Sequence, residues 1–292
     1  MYHALHDAIR DAEARGVTLA TVALELEARD QGRAVDEIRD ALGRALAVMR
    51  DAVAKGITGE LRSASGLVGG DAAKLRTGPA GPLAGTVFRD VLMRALAVQE
   101  VNAAMGVIVA APTAGGAGVL PAVLLGLAER AGCSDAQVVD ALATAGLIGA
   151  VVAQRASLSG AEGGCQAETG AAAGMAAGAA TEMLGGTPSM VGHAVALAQQ
   201  GTLGLVCDPL GGLVELPCVF RNATGAAIAL AAVEMAMAGI TFAIPADEVI
   251  DTMGEIGREM DVRYRETAGG GLAATPTGRR LAKDRLTQIK RG

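Results

Sequence analysis

Apolar and charged positions alternate with helical spacing at the start of the chain. Over residues 3–55 this pattern predicts two or three amphipathic helices. In the stretch VDEIRDALGRALAVMRDAV, Ile38, Leu42, Leu46 and Met49 fall on one face and the charged residues fall on the other. Such a stripe predicts helices that bury one side against a core.

Helical patterns continue through the rest of the chain and are separated by glycine-rich segments. Helices are predicted over residues 86–105, 119–131, 135–155, 166–184, 188–200, 222–239 and 246–259. Ser134 is a suitable N-cap for the third of these helices. Loops are predicted over residues 66–85, 112–118, 157–165 and from 266 onwards, where glycine, proline and threonine break the periodicity. Because strand-like alternation is scarce, we predict an all-α fold.

Alanine and glycine dominate the predicted helices, which lets their backbones approach closely. Any single glycine-rich loop could simply end a helix. As a set, however, the loops are dense with threonine, serine, asparagine and histidine, which favours a preformed site lined by main chain. We expect an N-terminal amphipathic segment over residues 1–58 and a catalytic region over residues 59–292, together forming one continuous helical domain.

The overall apolarity raises the question of a membrane protein. Hydrophobic residues make up 51% of the chain, mean hydropathy is +0.38, and residues 101–128 carry no charge over a length that could span a bilayer. Pro112, Gly115 and Pro121 interrupt that stretch, however, and lipid does not tolerate unsatisfied backbone groups. We therefore predict a soluble protein without a membrane partner. Its start, MYHALHDAIRDAEARG, lacks the pattern of a secretory signal, which favours a cytoplasmic location.

Charge and aromatic content argue against nucleic acid as a partner. The net charge is −6, aromatic residues make up 2% of the chain and tryptophan is absent. The only terminal basic pair, Lys290 and Arg291, is too short to form a basic patch. Neither an electrostatic footprint nor a base-stacking platform is therefore expected.

Four cysteines are too few for a disulfide framework in a chain of 292 residues. Cys133 stands alone and is expected to be structural. Cys165 is predicted to begin a helix, where the N-terminus stabilises a thiolate. Cys207 and Cys218 bracket the segment between them, whose prolines and glycines fix its shape. Their spacing matches neither zinc fingers nor ferredoxins, so from spacing alone these cysteines are as well explained by core packing as by metal ligation.

Other chemistry-bearing residues are ambiguous when taken alone. Lys74 is the one lysine in a glycine-rich setting, but nothing else supports a Schiff base there. The chain contains no GxxxxGK[ST] phosphate loop. His193 lies on an otherwise apolar predicted helix, where a histidine is more often a satisfied core residue than a functional one.

Several longer segments resemble a known family. They are NAAMGVIVAAPTAGGAGVLPA (102–122), SGAEGGCQAETGAAAGMAAGAATEMLGG (159–186), HAVALAQQGTLGLVCDPLGGLVELPCVFRNATGA (193–226) and GGLAATPTGRRL (270–281). Together they resemble, in order over roughly residues 60–282, the catalytic domain or α subunit of the iron–sulfur-dependent L-serine dehydratases. The patterns GAEGGCQAE and CDPxxGLVExPCxxRNA are specific to that family. Where the family often has TAGSAG and CDPVAGLVE, this chain has TAGGAG and CDPLGGLVE.

The resemblance implies an all-helical catalytic domain in which Cys165, Cys207 and Cys218 hold a 4Fe-4S cluster. Cys133 matches no family ligand. The family's second domain carries an SSSHT-like segment that this chain lacks, so the resemblance implies a separate β subunit and a hetero- or homo-oligomeric enzyme. The implied reaction removes water from L-serine to give pyruvate and ammonia. A related lyase acting on threonine or cysteine, or a non-catalytic metal-binding scaffold, is the alternative.

The resemblance also suggests roles for residues around the cluster. Three protein ligands would leave one iron open to act as a Lewis acid on the serine hydroxyl. The serine carboxylate would suit the backbone N–H groups of Thr113, Ala114, Gly115 and Gly116. Lesser candidates for substrate binding are Lys74, Asn102, Arg221 and Asn222, of which the last two could instead orient the cluster loop. His193 or a group of the β subunit is the candidate base.

Overall fold

The chain folds into a bundle of α-helices, which confirms the all-α prediction. The computed structural model describes residues 2–79 and 81–289. The α-helices of the described residues, in chain order, are α1 Leu5–Arg15, α2 Leu19–Gln31, α3 Val35–Gly56, α4 Asp71–Thr77, α5 Val87–Ala103, α6 Val119–Ala131, α7 Asp135–Arg155, α8 Gly160–Gly163, α9 Ala171–Met183, α10 Pro188–Gln200, α11 Cys218–Met237, α12 Ala246–Glu259 and α13 Pro276–Ile289. The described residues contain no sheet, only an isolated bridge between Cys207 and Arg265.

Helix α9 forms the centre of the bundle, with α6, α7, α10 and α11 packed around it. All of its residues except Glu182 are buried. Its small side chains permit this close packing: a Cβ atom added at Gly178 would lie 2.5 Å from Cδ1 of Ile148 on α7. The alanine and glycine content noted in the sequence therefore reflects a core built on close backbone approach.

The N-terminal helices pack directly on this core. Helix α1 contacts α10 and α12, α2 contacts α7, and α3 contacts α5 and α7. Ile38, Leu46 and Met49 are buried as predicted, and Leu42 is partly buried against the same core. The predicted boundary between residues 58 and 59 stays a prediction. The last three residues of the predicted catalytic region, 290–292, lie outside the described residues, and these include the basic pair Lys290 and Arg291.

At the start of several helices, backbone N–H groups donate to carboxylates from distant parts of the chain. Glu182 accepts hydrogen bonds from the first two N–H groups of α2, and Asp247 from the first two of α1. Glu100 accepts from three N–H groups at the start of α4. These N–H groups have no partner within their own helices, so each carboxylate satisfies donors that burial would otherwise leave unpaired.

Two predicted loops contain helices. Helix α4 lies inside the predicted loop 66–85, and α13 begins at Pro276, inside the loop predicted from residue 266. Helix α11 begins at Cys218, four residues before the predicted start at 222, and residues 166–170 form a π-helical turn where an α-helix was predicted.

The uncharged stretch 101–128 is not a single helix. Helix α5 ends at Ala103, and α6 begins at Val119. Among the described residues, α7 and α11 are long and apolar enough to cross a membrane, but 61% and 50% of their most apolar windows are buried inside the protein. A buried core helix has the same length and composition, so their apolarity is accounted for by packing.

The packing of α3 on α5 provides a stability test with a control in the same helix. A Cβ atom added at Gly56 would lie 2.2 Å from the backbone oxygen of Ala97 on α5, whereas one added at Gly43 meets nothing within 4 Å. We expect Gly56→Ala to lower the free energy of unfolding by about 1–3 kcal/mol because the backbones must separate. We expect Gly43→Ala to raise it by roughly 0.5–1 kcal/mol. Urea denaturation measures both, and equal effects of the two substitutions would contradict the packing described.

Candidate active site

Three of the four cysteines are buried at one end of the core helices. Cys165 is the first residue of the turn that leads into α9, Cys218 is the first residue of α11, and Cys207 lies in an extended segment between α10 and α11. Their exposed fractions are 2%, 4% and 1%, and all three are free thiols. Two of the three therefore lie at helix N-termini, where the helix dipole favours a thiolate.

Burial and mutual repulsion both disfavour ionisation of these thiols. Burial raises the pKa of Cys207, and negative charge on Cys165, Glu168 and Cys218 raises it further. The pKa of Cys218 is raised to about 12 by burial and by the charges of Cys165 and Glu168, while Arg221 opposes the shift. Burial likewise raises the pKa of Cys165, against the effect of a hydrogen bond with Thr169. Negative charge on one sulfur thus disfavours ionisation of the others, and a bound cation would be needed to hold all three as thiolates.

The extended segment at Cys207 is held by the C-terminal part of the chain. The backbone N–H of Cys207 donates to Tyr264 O at 2.8 Å, and the N–H of Glu266 donates to Cys207 O at 2.8 Å. The next residue, Asp208, is 2% exposed and accepts from the N–H of Leu272 at 2.6 Å. Residues 264–272, most of which lie within the loop predicted from residue 266, therefore fix the position of Cys207.

Arg221 joins this segment to α11. Its Nη1 donates to Val206 O at 2.8 Å, and its Nη2 lies 2.8 Å from Oδ1 of Asp208. Its positive charge also opposes the rise that burial causes in the pKa of the thiols of Cys165 and Cys218. Arg221 therefore supports the loop before Cys207 and supplies positive charge beside the sulfurs.

Asn222 joins α11 to the glycine-rich loop at 112–118. It is completely buried; its Nδ2 donates to Gly115 O at 2.6 Å and to Cys218 O at 2.9 Å. Its Oδ1 accepts from the N–H of Gly118 at 2.9 Å. One side chain thus links the residue that begins α11 to the middle and to the last residue of the loop.

The same loop is held from α5. Nε2 of Gln99 and Nδ2 of Asn102 both donate to Ala114 O, at 2.9 and 3.1 Å. Thr113 donates through Oγ1 to Oε1 of Glu168 at 2.6 Å. The predicted residues Asn102, Thr113, Ala114 and Gly115 therefore lie together.

Glu168 lies between the glycine-rich loops and Cys207. A Cβ atom added at Gly115 would be 2.7 Å from Oε1 of Glu168, and one added at Gly160 would be 2.7 Å from its Oε2 and 3.0 Å from Sγ of Cys207. At Gly116 an added Cβ would be 3.0 Å from the backbone oxygen of Glu168. Burial raises the pKa of Glu168, while the hydrogen bond from Thr113 opposes the shift. Both loops therefore require glycine where they meet this carboxyl group.

Sequence reasoning did not single out Glu168. It follows Cys165 by three residues in CQAE, a spacing that places two side chains on one helical face. That spacing was the available signal. The π-helical turn Gln166–Gly170 then carries Glu168, and π-turns occur frequently at functional sites.

Two predicted residues lie away from this group. Lys74 is on the surface of α4, where its side chain is 77% exposed and pairs with Asp71 at 2.7 Å. His193 is partly buried on α10; its Nδ1 accepts from the N–H of Phe242 at 3.3 Å, and it lines a cavity beside Leu5. Neither forms a hydrogen bond or ion pair with the cysteines or with Glu168 in the part of the chain that the structure describes.

The fourth cysteine also lies elsewhere. Cys133 follows α6, is partly exposed and lines a different cavity, beside Thr18 and Glu182. Its structural role stays a prediction. Among residues 2–79 and 81–289, no group of three His, Cys, Asp or Glu side chains is placed to hold a metal ion.

Comparison with known proteins identifies relatives over nearly the whole chain. Residues 14–273 match the family model described as serine dehydratase alpha chain. A protein named probable L-serine dehydratase, alpha chain, from Bacillus subtilis is 47% identical over 287 residues, covering 97% of this chain and 95% of the relative. The L-serine dehydratase alpha chain of Peptoniphilus asaccharolyticus is 39% identical, with 94% of each chain covered.

Some relatives are longer. An L-serine dehydratase of Streptomyces coelicolor is 43% identical over 267 residues, which cover 89% of this chain but 58% of the relative. Relatives named as alpha chains are thus matched almost end to end, whereas this one has a further region beyond the match.

Proposed function

Because this chain belongs to the serine dehydratase alpha chain family, we propose that it is the α subunit of an L-serine ammonia-lyase. The reaction eliminates water from L-serine, and the resulting aminoacrylate tautomerises and hydrolyses to pyruvate and ammonia. The observation that carries the proposal is the placement of three buried free cysteines around a carboxyl group and two glycine-rich loops. We further propose that the enzyme is cytoplasmic.

The donor set fits a 4Fe-4S cluster. Thiolate sulfur is the ligand that iron–sulfur clusters take in proteins, and Cys165, Cys207 and Cys218 are unpaired and buried together. Their raised pKa values are what uncompensated thiols show in a dry site, and a cationic iron centre offsets that cost. When bound, the cluster would supply a Lewis-acidic iron, free of a protein ligand, that makes the serine hydroxyl a better leaving group.

The protein's own groups position the substrate. We propose that the serine carboxylate accepts hydrogen bonds from N–H groups of Thr113, Ala114 and Gly115, at the start of the 3-10 turn Ala114–Gly116. The first N–H groups of such a turn have no acceptor within it. The N–H groups of these three residues also have no acceptor elsewhere among the described residues. Asn102 and Asn222 fix the loop through Ala114 O and Gly115 O.

The base that removes the α-proton is proposed to come from the β subunit. His193 stays the candidate within this chain, but its Nδ1 is occupied by the N–H of Phe242. We propose that Lys74 does not bind the substrate, because its side chain is exposed and paired with Asp71. The name alpha chain, which the Bacillus subtilis and Peptoniphilus asaccharolyticus relatives carry, supports a partner subunit for this chain as well.

Substrate preference is tested with the two-chain enzyme. Both chains are purified without oxygen, iron and sulfide are added, and the oxo acids formed from L-serine, L-threonine and L-cysteine are measured. We expect pyruvate from L-serine with the highest kcat/KM, and only when both chains are present. Threonine or cysteine as the best substrate would replace serine in the proposal, and bound iron without activity on any of the three would favour a non-catalytic scaffold.

A further inference from the structure

The two carboxyl oxygens of Glu168 have different surroundings: one is hydrogen-bonded to Thr113, and the other lies on the side of Cys207. Oε1 accepts the Thr113 hydroxyl at 2.6 Å. Among the described residues, the hydrogen bond that Oε2 accepts comes from Sγ of Cys207, at 4.0 Å, which is at the limit for a hydrogen bond to sulfur. Glu168 is partly exposed to solvent. One acceptor position therefore points towards the cysteines without a strong partner.

No cation of the described residues balances this carboxylate. None of the ion pairs formed by residues 2–79 and 81–289 includes Glu168. The charged side chain that acts on it is Glu266, which is also acidic. A partly buried carboxylate is costly without a positive partner. A cationic ligand group would supply what the chain does not.

The carboxyl group of Glu168 lies directly against two glycines. At Gly115 and Gly160 an added Cβ atom would lie 2.7 Å from one or the other Glu168 oxygen, and at Gly160 it would also lie 3.0 Å from Sγ of Cys207. Side chains at these positions would displace the carboxyl group. The lack of a side chain at Gly115 therefore brings the carboxylate close to the loop that carries the free N–H groups of Thr113 to Gly115.

We propose that Glu168 binds the α-ammonium group of the amino-acid substrate and thereby selects amino acids over other small acids. The proposal rests on the proposed dehydratase function. An α-amino acid carries its ammonium and carboxylate groups on adjacent atoms, and the site offers a carboxylate and a row of backbone N–H groups side by side. Thr113 contributes to both binding positions, because its hydroxyl orients the carboxylate of Glu168 and its backbone N–H belongs to the row in the loop.

The test compares two ligands that cannot lose water. L-alanine has the ammonium and carboxylate groups of serine but no hydroxyl, and propionate lacks the ammonium as well. Their dissociation constants are measured by calorimetry on the iron-loaded two-chain enzyme. We expect Glu168→Gln to weaken L-alanine binding by roughly 10- to 100-fold, since a charge-assisted hydrogen bond is lost, and to leave propionate binding unchanged. Glu168→Asp is expected to restore part of the affinity, and Glu162→Gln, at an exposed glutamate six residues earlier in the chain, to change nothing.

Iron content and the visible spectrum separate ammonium binding from a structural role. If the Glu168→Gln variant loses iron, the Thr113→Val variant is tested in its place, because it removes the hydroxyl that orients Glu168 and keeps the carboxyl group. The Thr113→Ser variant, which keeps the hydroxyl, should then bind L-alanine as wild type does. The proposal is overturned if iron-loaded Glu168→Gln or, in its place, Thr113→Val binds L-alanine as tightly as wild type. It is also overturned if kcat for serine falls while L-alanine affinity and KM stay unchanged. A wild-type enzyme without activity on serine would instead refute the dehydratase function.

Discussion

Replacing Cys165, Cys207 or Cys218 singly with alanine is expected to remove bound iron and lower serine dehydration by more than about 100-fold. Loss even of a group that only orients a metal ligand costs 10- to 100-fold in affinity or activity, so loss of a ligand should cost more. The fold should persist, because each cysteine occupies a small buried position and alanine is already the dominant core residue around α9. Iron assay, far-ultraviolet circular dichroism and pyruvate formation measure the three effects.

Cys133 provides the matched control for these variants. It is the remaining cysteine of the chain, is only partly buried and lies on a different cavity. Cys133→Ala should therefore keep wild-type iron content and activity. Full iron content in all three single variants at the site, or loss of iron in Cys133→Ala, would show that the cysteines have been assigned wrongly.

Asn222→Ala is expected to produce the largest loss of stability among single changes at the site. Asn222 is fully buried and bonds to Gly115 O, Cys218 O and the N–H of Gly118. Alanine would leave these three backbone groups buried without that partner, so the free energy of unfolding should fall by roughly 2–4 kcal/mol. Dehydratase activity should fall as well, because the loop at 112–118 loses its link to α11.

Thr224 is the control on the same helix. It is exposed, and its hydroxyl bonds only to Phe220 O at 3.3 Å. Thr224→Ala should change the free energy of unfolding by less than about 0.5 kcal/mol. Urea denaturation of variants with equal iron content compares the two, and a similar small effect of Asn222→Ala would contradict the role given to its hydrogen bonds.

Local signals in the sequence were sufficient for the fold class and for most helix bounds. The predicted N-cap at Ser134 is confirmed: its Oγ accepts from the N–H of Gln137, and α7 runs over the predicted residues 135–155. Such caps and apolar periodicities depend on neighbouring residues, so they can be identified along the chain. The pattern around Ile38 and Met49 was predictable for the same reason.

Elements supported from a distance could not be predicted. Helix α4 has only seven residues, and its first N–H groups bond to Glu100, a residue far along the chain on another helix. Nothing within residues 66–85 indicates that partner. The π-helical turn after Cys165 was likewise unpredicted, because an apolar small-residue sequence fits an α-helix equally well.

The candidate site was partly accessible from the sequence. The resemblance singled out the three cysteines and the loop at 112–118, and these lie around Glu168 and Asn222. Glu168 itself gained significance only from contacts with Thr113, Gly115 and Gly160, which are distant in sequence. His193 could not be judged from an apolar helix alone, because the decisive contact is with Phe242 in another segment.

Pyruvate formation measured against bound iron tests the central claim most directly. The anaerobic two-chain enzyme is prepared at several iron loadings, and pyruvate released from L-serine is followed at each loading. If Cys165, Cys207 and Cys218 hold the cluster that acts on serine, the rate rises in proportion to bound iron and vanishes in the iron-free enzyme. An iron-free enzyme that forms pyruvate at the same rate would contradict the account.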